Sequence, residues 1–224
     1  MSDFVPVITI DGPSGSGKGT VTQRVADHLG WHVLDSGALY RLLGLAASKA
    51  NVDFSNENKI SSLADNLNVE FDGDVILLDG QDVSNQIRTE TAGNNASKVA
   101  AMPAVRAALL DWQRRYATPP GLVADGRDMG TTVFPDAKVK IFLTASAGER
   151  AKRRHKQLKE KGLPANLAAL TAEIEERDAR DRNRAASPLV PAPDAITIDS
   201  TGTDIDRVVE IVLQRAHVAY ATPL

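Results

Sequence analysis

Val5-Pro6-Val7-Ile8-Thr9-Ile10 is a short apolar run, rich in β-branched residues, that does not alternate with polar positions. A strand buried on both faces of a parallel sheet has that pattern, because neither face meets water. After a glycine-rich turn, Val21, Val25 and Leu29 recur at four-residue spacing and Gly30 stands where a helix C′ glycine belongs. The spacing predicts a helix over Lys18 to Leu29. Trp31 to Leu34 reads as a second short strand. It leads into Asp35-Ser36-Gly37 and a helix striped by Leu39, Leu42, Leu43, Ala46 and Ala50, with Tyr40 and Arg41 off the stripe. Ile60, Leu63, Ala64 and Leu67 mark a further helix.

The pattern then changes. Val69-Glu70-Phe71, Val75 to Leu78 and Val83 are short β runs parted by Asp72-Gly73 and Asp79-Gly80, the signature of an antiparallel meander. Together with Ile87 to Ala101 the meander interrupts a βα alternation, as an inserted substrate subdomain would. Helical periodicity resumes with Pro103 at the first helical position and Val105, Leu109, Trp112 and Tyr116 on one face, and Thr118-Pro119-Pro120-Gly121 ends it. Three more strands follow: Leu122 to Asp125, Val139 to Leu143 with a capping box at Ser146 and Glu149, and Ile196 to Ile198 before a helix bearing Ile205, Val208, Val209, Val212 and Leu213. Five parallel strands with helices between them imply a doubly wound α/β core.

Composition narrows the chemistry. The chain has 224 residues, and 26 Lys+Arg against 29 Asp+Glu leave a net charge of −3. That balance argues against a dedicated nucleic-acid binder, which shows a basic domain. The length suffices for one full hydrophobic core. Zero cysteines remove disulfides, zinc ribbons, iron–sulfur sites and thiol nucleophiles, and suit a reducing compartment. Met1-Ser2-Asp3-Phe4 has no basic n-region, and no apolar run approaches the ~18 residues that span a bilayer. The expectation is a soluble, cytoplasmic protein.

Gly12-Pro13-Ser14-Gly15-Ser16-Gly17-Lys18-Gly19-Thr20 fits G-x-x-x-x-G-K between the first strand and the first helix, where a P-loop must lie. A polyphosphate needs several backbone N–H groups converging on it, which only a loop poor in side chains permits. The helix N-terminus and a lysine ammonium add to the attraction. The general motif has Ser or Thr directly after the lysine for Mg²⁺; here Gly19 intervenes and the hydroxyl belongs to Thr20. The Rossmann fingerprint fails, since Thr20 stands where its third glycine should be.

Asp125-Gly126-Arg127-Asp128-Met129-Gly130 follows a strand directly, at the carboxyl end where open α/β sheets bind ligands. Arg127 between two carboxylates is well placed there to hold phosphate, and Asp125 has the position of a carboxylate for the metal. The cations of Arg150 to Lys161 surround a whole helix and read as a solvated face. Arg177, Arg180 and Arg184 differ: at i, i+3 and i+7 they share one side, joined by Asp181, and crowded cations call for phosphate or carboxylate partners. His28 and His32 are parted by Gly30 and do not read as a zinc pair.

With the loop Gly12 to Thr20, Asp35-Ser36-Gly37 with Tyr40-Arg41, the run Asp125 to Gly130 and the segment Glu176 to Arg184, nearly the whole chain resembles bacterial cytidylate kinases of the nucleoside monophosphate kinase superfamily. The resemblance implies a P-loop three-layer α/β/α core with an inserted CMP-binding subdomain and a short helical lid. The expected boundaries are 1–50, 103–149 and 185–224 for the ATP-binding core, 51–102 for the insert and 150–184 for the arginine-rich lid. It implies that Ser97, Arg106 and Asp128 recognise cytosine, that Arg41, Arg127 and Arg177 hold the CMP phosphate, that Asp181 contacts the sugar, and that Asp35 and Ser36 line the same pocket. Lys18, Arg127, Arg177 and Arg184 would be catalytic, with Mg²⁺ near Thr20 or Asp125. Expected partners are ATP, CMP and dCMP, with no nucleic acid and no membrane, in a monomer. The rival readings are a P-loop kinase for another small acceptor such as UMP or shikimate, and a non-catalytic nucleotide-binding regulatory module. An Asn-Lys-x-Asp guanine signature is absent.

Overall fold

The computed structural model describes residues 5–72, 75–160, 162 and 164–222. In chain order the elements are β1 (Val7–Asp11), α1 (Lys18–Leu29), β2 (His32–Asp35), α2 (Ser36–Lys49), α3 (Glu57–Asp65), β3 (Val69–Asp72), β4 (Val75–Leu78), β5 (Gln81–Asp82), α4 (Glu90–Val99), α5 (Pro103–Arg115), β6 (Leu122–Gly126), β7 (Val139–Thr144), α6 (Ala147–Glu160), α7 (Leu167–Asn183), β8 (Ile196–Asp199) and α8 (Ile205–Tyr220). A 3₁₀ turn covers Gln86–Arg88 and a π turn Met129–Val133. The Met1-to-Phe4 stretch, Gly73 and Lys161, which entered the sequence reading, lie outside the described residues. No helix among the described residues is long and apolar enough to cross a membrane.

The chain divides into two compact units, one of residues up to Leu34 and from Tyr116 onward, the other from Asp35 to Arg115. The first is built on a five-stranded parallel sheet in the order β2-β6-β1-β7-β8. Every residue of β1 is buried, which is why its sequence does not alternate. Ile8 and Ile10 of β1, Val123 of β6 and Val139, Ile141 and Leu143 of β7 pack against Val21 and Val25 of α1 and against Val208, Val212 and Ala216 of α8. Parallel register sets Ile10 beside Asp125 and Asp11 beside Gly126. Their carboxyl ends therefore finish together, beside the loops that follow each strand.

The second unit holds α2 to α5 and the meander β3-β4-β5. It thus takes in α2 and α5 as well as the 51–102 segment. The two-residue turn Asp79-Gly80 has positive φ at both positions, 51° and 74°, as a tight type I′ hairpin requires. α2 is buried on two sides. Leu39, Leu43 and Ala47 join Ile60, Val99 and Leu109 in one cluster, while Ala38 and Leu42 join Leu78, Val83 and Ile87 in another. Tyr40, off the stripe in sequence, is therefore in the core, 5% exposed.

Candidate active site

The P-loop starts where β1 stops. Gly12 has φ 155°, and a Cβ on it would stand 2.0 Å from the Leu143 carbonyl oxygen of the neighbouring strand, so only glycine turns the chain here. Gly17, at φ 92°, caps α1 in a left-handed conformation. Lys18 is the first residue of α1. Its Nζ lies 3.4 Å from the Pro13 carbonyl and 3.7 Å from Asp125 Oδ1, with 8% of the residue exposed. The Ser16 hydroxyl is buried without a hydrogen-bond partner among the described residues. An orphaned buried donor in a loop of converging N–H groups is what an anionic ligand satisfies. A cleft of about 700 Å³ opens beside the loop, lined in part by Lys18, Gly19, Arg150, Arg153, Arg154 and Thr203.

The Asp125-to-Gly130 run follows at the end of β6. Arg127 Nε is 3.1 Å from Asp181 Oδ2, and Arg184 Nη2 is 3.7 Å from Asp128 Oδ1; Asp128, Asp181 and Arg184 are buried. Arg177 Nη1 reaches Ser14 Oγ at 3.4 Å. The first unit thus ties Arg177 to the P-loop and Lys18 to Asp125, and pairs Arg127 with Asp181 and Arg184 with Asp128. Arg180 pairs instead with Glu176 on its own helix at 2.7 Å. Arg184 is the C-cap of α7, with ψ 140° turning the chain out of the helix.

Two further charged groups near these residues carry no motif. Arg150 was expected on a solvated face, yet its side chain is 2% exposed. It donates to the Ala145 and Ser14 carbonyls at 2.9 and 3.0 Å, and to both carboxylate oxygens of Asp178 at 3.1 and 2.5 Å. It therefore ties α7 to the phosphate loop. Asp11, the last residue of β1, accepts from the Met129 and Gly130 backbone N–H groups, both at 2.8 Å. Burial pushes its carboxyl up to about 7, against the pull of those two bonds and with help from the negative Asp128 and Asp125.

In the second unit the expected substrate residues are individually well held. Asp35 caps α2 by accepting from Ala38 N–H at 2.9 Å. Ser36 donates to Gln113 Oε1 at 2.7 Å and is buried. Arg41 Nη1 donates to the Ile87 carbonyl at 2.7 Å. Ser97 is buried on α4. Arg106 donates to the Ala100 carbonyl at 3.2 Å and stands 5.7 Å from the Tyr40 ring centre. The expected capping box is half formed: Glu149 N–H donates to Ser146 Oγ at 3.2 Å, while the Glu149 carboxylate pairs with Arg153.

Residues 8–218 match the family model described as Cytidylate kinase. The chain belongs to that family. Its relatives include the cytidylate kinase of Serratia proteamaculans, 56% identical over 100% of this chain and 99% of that one. The cytidylate kinase of Proteus mirabilis is 58% identical over 94% and 95% of the two chains. In this cytidylate kinase family member, Arg153 is a further contributor that sequence reasoning missed: it donates to the Ser16 carbonyl at 3.4 Å and the Ser200 carbonyl at 2.6 Å. Ser200 Oγ donates to the same Ser16 carbonyl at 2.9 Å. No sequence signal separates Arg153 from the other cations of α6.

Among the described residues no group of three or more His, Cys, Asp and Glu could hold a metal alone. The residues nevertheless fit Mg²⁺, a hard ion that takes one or two carboxylates and completes its shell with phosphates and water. Asp125 lies beside the loop, 3.4 Å from where a Cβ of Gly19 would stand. Thr20 is exposed at the loop's end.

Proposed function

We infer that the protein transfers the γ-phosphoryl group of ATP to CMP, giving CDP and ADP, and that dCMP serves as a second acceptor. An oxygen of the CMP phosphate attacks the γ-phosphorus in line, and the bond from that phosphorus to the β–γ bridging oxygen breaks, releasing ADP. The nucleophile is already an anion, so no general base is required. What remains is to hold several negative oxygens together and stabilise the charge as it moves. Lys18 and the loop Gly12, Pro13, Ser14, Gly15, Ser16, Gly17, Gly19 and Thr20 hold the donor phosphates. Arg127, Arg177 and Arg184 spread over the transferring oxygens. In the first unit Asp128 selects the base and Asp181 meets the sugar; in the second, Ser97 and Arg106 contact cytosine, Arg41 the phosphate, and Asp35 and Ser36 the nucleoside. Asp125 and Thr20 would hold Mg²⁺, which supplies charge neutralisation of the phosphates when bound. The molecule acts as a cytoplasmic monomer on free nucleotides.

The observation that supports this reading best is the pairing of Arg127 with Asp181 and of Arg184 with Asp128 at the run that follows β6, since each arginine already rests on a carboxylate that a substrate can replace or share. The test is ADP release from ATP and Mg²⁺ with CMP, dCMP, UMP, AMP, GMP or shikimate added singly. Release confined to cytidine nucleotides is expected. Release that follows another acceptor sinks the substrate assignment, and binding of ATP without any transfer favours a regulatory module.

A further inference from the structure

Asp11 is a buried carboxylate that the transfer mechanism does not use, 4% exposed at the end of the central strand. Both of its oxygens are committed: Oδ1 to the Met129 N–H and Oδ2 to the Gly130 N–H, each at 2.8 Å. Those two amides open the π turn that directly follows Arg127 and Asp128. Asp128 itself has φ −147° and ψ 25°, outside any regular element, and makes no side-chain cap to that turn. The backbone of the run is therefore pinned from one side by Asp11. It also meets Thr9 of β1 and Lys140 of β7 closely, for a Cβ on Gly130 would stand 2.9 Å from Thr9 Oγ1 and 3.2 Å from Lys140 Cδ.

We propose that Asp11 is a positioning residue for acceptor selection: its two bonds to Met129 and Gly130 fix the orientation in which Arg127 and Asp128 are presented to the nucleoside monophosphate. This rests on the reading that Arg127 and Asp128 contact the acceptor. A bidentate carboxylate sets both position and rotation of the peptide pair it grips, which a single bond does not. Small misplacement of a binding group costs far more in selectivity than in fold, because a misaligned carboxylate no longer meets the one exocyclic amine it distinguishes. Asp11→Asn keeps the shape but offers one acceptor oxygen, turning an N–H donor against the second amide.

The experiment compares wild type, Asp11→Asn and Asp128→Ala. Amide hydrogen exchange at Met129 and Gly130 is read first, then kcat/KM for CMP and UMP and the KM for ATP. In Asp11→Asn, exchange at both amides is expected to accelerate at least tenfold. The CMP-to-UMP ratio of kcat/KM is expected to fall at least tenfold, with the ATP KM within twofold of wild type. A merely structural carboxylate would leave the CMP-to-UMP ratio unmoved, or would move ATP and CMP parameters alike; either result overturns the proposal. So does unchanged exchange. If Asp128→Ala itself leaves the ratio unaltered, it is the assignment of Asp128 to the base that has failed. Should Asp11→Asn not fold, Gly130→Ala displaces the same peptide with Asp11 intact, and the same split in ratio against ATP KM is required of it.

Discussion

Removing Arg150 tests how α7 is held to the phosphate loop. Arg150→Met keeps the aliphatic stem and deletes the guanidinium, and with it four hydrogen bonds: to Ala145, to Ser14 and twice to Asp178. Asp178, with its side chain 8% exposed, then keeps, among the described residues, only the cation of Arg182 at 3.9 Å, on a side chain 61% exposed. Breaking a buried ion pair from one side costs ~3–5 kcal/mol, because the surviving charge stays desolvated. For a chain of this size each kcal/mol moves Tm by about 2–4 °C, so a loss of ~6–20 °C is expected. Asp178→Asn strands the guanidinium instead, but the Ala145 and Ser14 carbonyls still accept from it, so the loss should be smaller. The double variant Arg150→Met/Asp178→Leu, which buries apolar groups of similar volume, should recover most of the loss. Thermal unfolding and urea midpoints on wild type, Arg150→Met, Asp178→Leu and the double variant give the coupling directly. An Arg150→Met protein within ~2 °C of wild type, or a double variant no better than the single ones, would refute the claim that this pair anchors α7.

Arg177→Ala should lower kcat at least ~100-fold, as loss of transition-state electrostatics commonly does; wild-type turnover in the ADP-release assay removes Arg177 from the mechanism. Asp128→Ala should relax base choice toward UMP, because a carboxylate accepts from cytosine N4 but not from uracil O4, and competition assays with both acceptors read this directly. Burial raises the Asp11 carboxyl from 3.8 to about 7, so between those values the folded state binds a proton that the unfolded state does not. Stability therefore falls as pH rises through that window and levels off above it, by at most ~4 kcal/mol. Urea midpoints at pH 5 to 8 should show a slope in wild type that Asp11→Asn lacks, and parallel curves would reject it.

The centre of the sheet was legible because β1 and β6 are buried on both faces, which forces continuous apolar runs such as Val7 to Ile10 that no exposed segment needs. The phosphate loop was legible for a similar reason: Gly12 has a strand carbonyl where a Cβ would be, so the motif is a steric requirement written into residue type. The Asp79-Gly80 turn was legible from its residue pair, because the two positive φ angles it adopts favour Asp and Gly. Tyr40 was misplaced because α2 is buried on two sides, and a single-stripe reading has no room for a second face. Ser97 and Arg106 came only from family resemblance, since a small hydroxyl and one arginine on helices leave no periodic trace.

Arg150 shows where such reading stops. Periodicity finds buried helix faces by their apolar residues, yet the buried positions of α6 are Arg150 and Ala151, so its inward face is marked by a cation among cations. The discriminating sign lies elsewhere in the chain. In α7 the buried polar residues are Asp178 and Asp181, at 6% and 4% exposure, and burying two carboxylates three apart is costly unless each is protonated or meets N–H donors or a positive group. Asp181 is answered by Arg127 and Asp178 by Arg150. The acidic residues of an arginine-rich helix thus predict that basic groups from distant segments converge on it, even though sequence alone does not say which ones.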